Sequence, residues 1–396
     1  EESQKESRIN MMNIRDTLYR DFQVSFVPFI GTNDKLSGNV INDYSFNIIG
    51  GYSLGTQRAE LGGMFNINRG NAEQVQIAGL FNAVGGSTAG IQMAGVINMN
   101  NKEVAATQLA GTVNFNMSGI NGTQAAGMMN FNGADSRGLQ AAGIMNFNLL
   151  SVNGIQVAGM MNFNGGESRG LQLAGMGNLQ INDYHGSQIA GFLNVATRKI
   201  TGTQVSGFLN FGGVVRGSQI GIINIADSIR GVPVGFISLV RKGYHKLEVS
   251  ADEIFYSNVA FRTGVRQFYN IFAAGIKPDT FGDPVWTFGY GLGTAPRLNR
   301  WLFLNFDITA NHVDRGHLTP EVSMLNKLYM GFDFQLSPEF SLTMGATLNA
   351  YITKRDVSEY PTLFTDYEPH IISDRNIGNT SRLQMWWGGK VGLRFF

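Results

Sequence analysis

Hydrophobic and polar positions alternate along most of this chain. In IQVAGMMNFN, residues 155 to 164, one parity carries Ile155, Val157, Gly159, Met161 and Phe163, and the other carries Gln156, Ala158, Met160, Asn162 and Asn164. A period of two predicts a β-strand with unlike faces, here one apolar and one rich in amides. The unit recurs every sixteen residues, from Gln76 through Gln92, Gln108, Gln124, Gln140, Gln156, Gln172 and Gln188 to Gln204, and Gln219 follows after fifteen. Degenerate copies at Glu60 and Pro233 extend the series to twelve units over residues 58–240.

The connecting segments also alternate. RGNAEQ, NKEVAA, GADSRG, GGESRG and TRKITG carry charge, while GGSTAG, MSGING and LLSVNG between them carry none; Asp183 and Arg216 interrupt the rule. The larger period is therefore 32 residues, a pair of strands. Two architectures fit. One is an antiparallel up-and-down meander whose two ends face different surroundings, and the other is a flat parallel solenoid with two strands in each 32-residue coil. From Gln76 to Gly212 every charged side chain lies in a connecting segment. A soluble solenoid would carry Lys, Glu or Asp on its outer faces, whereas a transmembrane strand of about 9–11 residues excludes charge from its lipid side. The sequence therefore predicts the meander. Its amide wall, comprising Gln92, Asn98, Gln108, Asn114, Gln124, Asn130, Gln140, Asn146, Gln156 and Asn162, faces a lumen. In that arrangement Asn98 pairs with Gln108 across a turn; in the solenoid Gln108 stacks on Gln140.

Beyond residue 245 the repeat dissolves into conventional alternation. Strands are predicted near 246–255, 259–267, 269–277, 285–294, 301–312, 326–336, 340–352 and 383–395. In LYMGFDFQL, for example, Leu328, Met330, Phe332 and Phe334 oppose Tyr329, Gly331, Asp333 and Gln335. The inward face carries a charged arc of Glu248, Asp252, Arg262, Arg266, Asp307, Lys327, Asp333, Lys390 and Arg394, read as ion pairs holding the wall or as a polar path for a solute. With a first hairpin at 21–57, built from strands 22–31 and 44–55, the total is two plus twelve plus eight, or 22 strands. The predicted fold is thus an all-β, transmembrane antiparallel barrel over residues 21–396, preceded by a periplasmic segment 1–20. Residues 241–396 supply its conventional strands and an extracellular loop at 353–382, and the tight turns at 296–300 and 337–339 fall on the periplasmic side. The alternative is a ten-stranded barrel with an inserted β-solenoid.

Composition narrows the chemistry. Charged residues are 15% of the 396 and the formal net charge is +1, so no net field argues for nucleic acid. Cysteine is absent, which removes disulfides, thiolate nucleophiles and Cys-ligated zinc. No run of 18 apolar residues predicts a membrane helix, and the polar start EESQKESRIN reads as a mature chain whose targeting segment is gone. GYSLG at 51–55 fits the nucleophile elbow of hydrolases, but no helical period follows it. GYGLG at 289–293 lies inside an alternating strand. His185, His245, His312, His317 and His370 are scattered and are expected at loop rims rather than on a metal. No enzyme, cofactor or metal is implied.

The chain ends WWGGKVGLRFF, with Trp387, Val391, Leu393 and Phe395 at alternate positions. This resembles the terminal strand of bacterial outer-membrane β-barrel proteins. The resemblance implies assembly by the barrel-assembly machinery into the outer membrane of a Gram-negative bacterium, with outer-membrane lipid and other outer-membrane or periplasmic proteins as partners. Over residues 60–240 the QxAGxxNxN units resemble a repeat of Bacteroidota surface and outer-membrane proteins of largely unassigned role. The expected function is a non-enzymatic porin-like channel or a membrane-embedded subunit of a larger complex. The alternative is a surface-exposed or periplasmic solenoid scaffold or adhesin, anchored by a small C-terminal barrel.

Overall fold

A computed structural model describes residues 17–278, 282–316, 322–354, 363–364, 367–378 and 380–396. The expected periplasmic segment lies almost wholly outside the described residues, as do His317 and much of the loop at 353–382. The chain forms two units, Glu1–Gly217 and Ser218–Phe396.

The first unit is a parallel β-solenoid, which overturns the 22-stranded meander. Each sixteen-residue repeat is one complete coil with two strands, such as Val104–Ala110 and Val113–Asn116. Long strands stack on long strands and short on short, all parallel. Gln92 lies beside Gln108 and Gln108 beside Gln124, while Asn98 lies beside Asn114 and Asn114 beside Asn130. Neither the antiparallel pairing of Asn98 with Gln108 nor a stack of Gln108 on Gln140 occurs, because neighbouring coils are sixteen residues apart. The expected first hairpin is also parallel, with Leu18–Val27 running beside Val40–Asn47 as another layer.

A glycine bend explains how ten alternating residues become two strands. In IQVAGMMNFN the chain turns at Gly159 and Met160, and their N–H groups donate to Ala142 O at 3.1 Å and Ile144 O at 3.0 Å in the coil below. The backbones approach too closely there for any side chain. A Cβ on Gly143 would lie 2.0 Å from the Gly127 carbonyl oxygen, and one on Gly159 would lie 2.0 Å from that of Gly143. Only glycine fits such a column.

Charge repulsion explains the 32-residue alternation. All the longer turns lie on one edge of the stack, where equivalent residues of successive coils are about 4.8 Å apart. Arg137 is in register with Asn121 and Asn153, and Arg169 comes only in the next coil but one. Skipping a coil doubles the separation of like charges to about 9.6 Å, near the screening length of physiological salt. The larger period therefore spaces charge along the stack and does not mark a hairpin.

The second unit opens with two more coils, whose strands Gln219–Ile220 and Ile223–Ile229 lie parallel to Pro233–Val234 and Ile237–Val240. Among the described residues nine antiparallel strands follow: β1 Tyr244–Asp252, β2 Ser257–Val265, β3 Phe268–Lys277, β4 Val285–Thr294, β5 Leu302–Arg315, β6 Ser323–Gln335, β7 Phe340–Lys354, β8 Ile371–Ile377 and β9 Ser381–Phe395. Strands β1–β7 and β9 pair in order, and β9 closes on β1 through Leu393 beside Val249, giving an eight-stranded barrel. Among the described residues, strand β8 pairs only with the first part of β9. In the sequence all the barrel strands come after the coils, so the ten-stranded alternative also needs correction in strand number and order.

Candidate functional sites in the solenoid and the barrel core

Amides fill the solenoid. Asn98 Nδ2 donates to Asn114 Oδ1 at 2.9 Å and to Leu109 O at 2.8 Å, and the same pair of bonds recurs at Asn114 and Asn130. Asn146 and Asn162 continue this ladder. On the facing sheet Gln108 Nε2 donates to Gln92 Oε1 at 2.9 Å, and Gln124 Nε2 to Gln108 Oε1 at 3.0 Å. Gln156 donates to Gln140 at 2.9 Å. Asn116 and Gln108 join the two sheets by exchanging bonds of 3.0 and 3.1 Å. The ten residues expected on a barrel lumen wall are thus the buried core of a solenoid. Such a core is stable only because the amides satisfy one another, each bond contributing about 1 kcal/mol net.

Glu60 ends the glutamine column. It is fully buried and accepts from Gln76 Nε2 at 2.9 Å and Asn47 Nδ2 at 3.2 Å. Burial raises its pKa, opposed by those amide donors. Its position takes an acceptor because the glutamine ladder directs its N–H groups toward this end.

The solenoid is apolar outside. The residue after each bend glycine is Met128, Ile144, Met160, Met176, Phe192 or Phe208 in successive coils, and all are exposed. On the outer face Phe115, Phe131, Phe147 and Phe163 form a stack, with ring centroids 4.7, 5.7 and 4.5 Å apart. Polar groups collect on the opposite edge. There Asp135, Arg137, Glu167 and Arg169 surround a groove of about 260 Å³, and His185 Nε2 lies 3.4 Å from Glu167.

In the barrel the structure brings together six of the nine residues read as a charged arc. Glu248 receives Arg262 at 2.8 Å, Arg394 at 2.7 Å and Lys390 at 3.1 Å. Arg262 reaches Asp307 at 2.9 Å, and Arg394 reaches Asp333 at 3.2 Å. Tyr269 OH donates to Asp307 at 2.6 Å. Lys327 and Asp252 form a separate pair. Arg266 stands apart, its guanidinium 3.9 Å from the Phe303 ring centroid and 5.0 Å from that of Tyr244. The arc therefore fills a small barrel instead of lining part of a wide one. A space of about 60 Å³ lies among Glu248, Asp252, Arg262, Asp307, Lys327 and Lys390, room for a few waters.

An apolar cluster lies beyond the ion pairs. Ile254, Phe255, Val285, Val313, Leu325, Leu363 and Trp386 pack together at the barrel end that carries the longer connections. Glu253 joins this layer, accepting from Trp386 Nε1 at 3.0 Å and Asn349 Nδ2 at 2.8 Å. Lys277 Nζ donates to Leu363 O at 3.0 Å. Sequence reasoning missed Glu253, Lys277 and Tyr269. Tyr269 and Lys277 share inward parity on β3, which was a usable signal; Glu253 sits past the end of β1, where parity gives none.

The terminal residues Trp387, Val391 and Leu393 project outward and are exposed, while the Phe395 ring lies 5.6 Å from that of Phe340. The GYSLG serine is buried within strand Gly50–Ser53, and its hydroxyl donates to Asn68 Oδ1 at 2.9 Å, so it is no nucleophile elbow. His312 Nε2 lies 2.9 Å from Asp314. The chain matches no family model, no curated protein and no solved structure.

Proposed function

We propose that this chain is a membrane-anchored solenoid scaffold, whose eight-stranded barrel sits in the outer membrane of a Gram-negative bacterium and whose coils present a binding surface. The observation that carries this is the polarity of the barrel. Its outward side chains include Phe261, Phe288, Ile308, Leu328, Met330 and Phe332, all exposed, while its inward ones are charged or polar and buried. A soluble barrel has the reverse arrangement; a lipid-facing one needs this. Eight strands enclose only enough room for side chains, and ion pairs occupy it here, which favours an anchor over a porin-like channel. The chain enters β1 at the end with the shorter turns, the periplasmic side in bacterial barrels. The terminal strand would then be the part read by the barrel-assembly machinery. In this reading the charged edge around Arg137 and Arg169 meets protein partners and no catalysis is involved.

The test is retention in the membrane. The parent chain is expected to stay in the membrane pellet through an alkaline carbonate wash. Met330→Arg, at mid-strand, places charge against lipid at a cost of about 2–4 kcal/mol and is expected to release or degrade the protein. Recovery of the parent chain as a monodisperse species without detergent would overturn the anchor.

A further inference from the structure

The solenoid carries an apolar surface that an anchor alone does not explain. The bend edge and the parts of both outer faces beside it are apolar through successive coils apart from Thr107, Thr112, Thr123, Ser187 and Thr203, and from Gln76 to Gly212 every charge lies toward the opposite edge, in its turns or in strand residues next to them. Largest apolar patches on ordinary soluble proteins are about 300–600 Å². Here the exposed surface runs the length of the stack, repeating with each coil.

We infer that the bend edge of the coils inserts into a single lipid leaflet, with the charged edge at the water interface. This rests on the membrane anchor proposed above, and four features favour lipid over a protein occupant. The first is depth. From Ile91 to the bend at Val96 the long strand covers about 15 Å, half the hydrocarbon thickness of a bilayer of about 30 Å. The second is backbone satisfaction at the bend, where the N–H groups of Gly143 and Ile144 reach Ala126 O at 3.1 Å and Met128 O at 2.9 Å, and the Gly127 carbonyl oxygen is packed against Gly143 of the next coil. Non-helical backbone enters hydrocarbon only when so paired. The third is chemistry. The bend column is made of Met, Leu, Val, Ile and Phe without a directional polar group, apart from Thr112, which suits fluid acyl chains better than a protein surface of fixed shape.

The fourth feature is continuity with the barrel wall inside the second unit. Phe236, the bend residue of the last coil, is exposed yet stacks on Tyr290 of β4 with centroids 4.4 Å apart. Asn270 Nδ2 donates to Gly235 O at 2.8 Å, and Thr263 Oγ1 donates to Ser238 O at 2.9 Å. Tyr290, Asn270 and Thr263 are on the outer barrel face, close to the shorter turns. Asn270 and Thr263 are covered by the coil, and the outward residues next along β4 and β2 are Phe288 and Phe261, both exposed, while Phe272 on β3 is half-buried. The last coil therefore meets the barrel at the rim of its apolar band. Its own bend residue is at the level of the leaflet on that side.

The absence of cysteine makes the test direct. Single cysteines replacing Met128 or Met160 at the bend, Ser118 or Ser151 on the turn edge, and Met330 on the barrel would each carry an environment-sensitive nitrobenzoxadiazole dye. The full chain would be reconstituted in phosphatidylcholine–phosphatidylglycerol vesicles containing doxyl-labelled lipid. Bend probes are expected to lose at least half their emission to the doxyl lipid, matching the Met330 probe, while turn probes respond only to an aqueous quencher. Bend probes as open to the aqueous quencher as turn probes would overturn the insertion. Bend probes shielded from both quenchers would also overturn it, in favour of a second copy or another protein covering that face. A Met330 probe insensitive to lipid would remove the anchor instead, whatever the bend probes report.

Discussion

Replacing Glu248 with alanine is expected to unfold the barrel far below the temperature at which the parent chain unfolds. Glu248 sits within 3.1 Å of three cationic groups, on Arg262, Lys390 and Arg394, and it is 1% exposed. Asp307 and Asp333 cannot neutralise all three once it is gone. Breaking a buried pair by removing one partner costs about 3–5 kcal/mol, because the remaining charge has no water to return to. Total stabilities of about 5–15 kcal/mol make that a large fraction. Glu248→Gln preserves shape and a hydrogen-bond acceptor, so it is expected to fall between. The measurement is the temperature at which the compact, fast-migrating form of the detergent-solubilised protein is lost on an unheated gel. An Ala variant that melts with the parent would mean that the ion pairs contribute nothing to closure.

The solenoid has its own point of failure in the bend column. Gly143→Val places a Cβ where 2.0 Å separates it from the Gly127 carbonyl oxygen, and that oxygen belongs to backbone held in the stack. The coils must separate at that level. Overpacking typically costs about 1–3 kcal/mol, and a rigid backbone neighbour places this case at or above the upper figure. In a solenoid each coil contacts only its neighbours, so the damage stays between the coils flanking Gly143 and opens the column there. Hydrogen exchange is expected to rise sharply at Gly143, Ile144 and Met145, whose N–H groups bond to the coil below, with little change near Gln204. The conservative surface change Met128→Leu is the control and is expected to be silent. Uniform protection in the valine variant would contradict the close-packed bend.

The barrel was legible in the sequence because its strands are unbroken and their two faces differ. All eight predicted segments correspond to β1–β7 and β9, from 246–255 against Tyr244–Asp252 to 383–395 against Ser381–Phe395. The solenoid was misread for a specific physical reason. Its bend at Gly159 and Met160 uses two residues, an even number, so Gln156 and Ala158 before it and Asn162 and Asn164 after it keep the same inward parity. Ten residues then look like one strand. The clue was Met160, an apolar residue in the amide parity, echoed by Met128, Ile144 and Met176 at equivalent places. The absence of charge from the strands pointed to lipid, and the structure puts amides rather than apolar groups inside the coils. Which residues of the charged arc would meet was not legible, since it depends on the barrel's closure through β9 and β1.

Everything proposed for the coils depends on their being parallel, amide-filled and stacked sixteen residues apart, and cross-linking measures that spacing directly. Phe131 and Phe147 lie side by side on the outer face, in register on adjacent coils, where oxidant has access. Neighbouring strands are about 4.8 Å apart, within reach of a disulfide after small adjustment. An antiparallel hairpin would instead oppose Phe131 to Leu139. Two double-cysteine variants, Phe131→Cys with Phe147→Cys and Phe131→Cys with Leu139→Cys, would be oxidised side by side and the bond yield read by gel shift and mass spectrometry. The parallel stack predicts efficient bonding in the first variant and background in the second; efficient bonding in the second alone would contradict the solenoid.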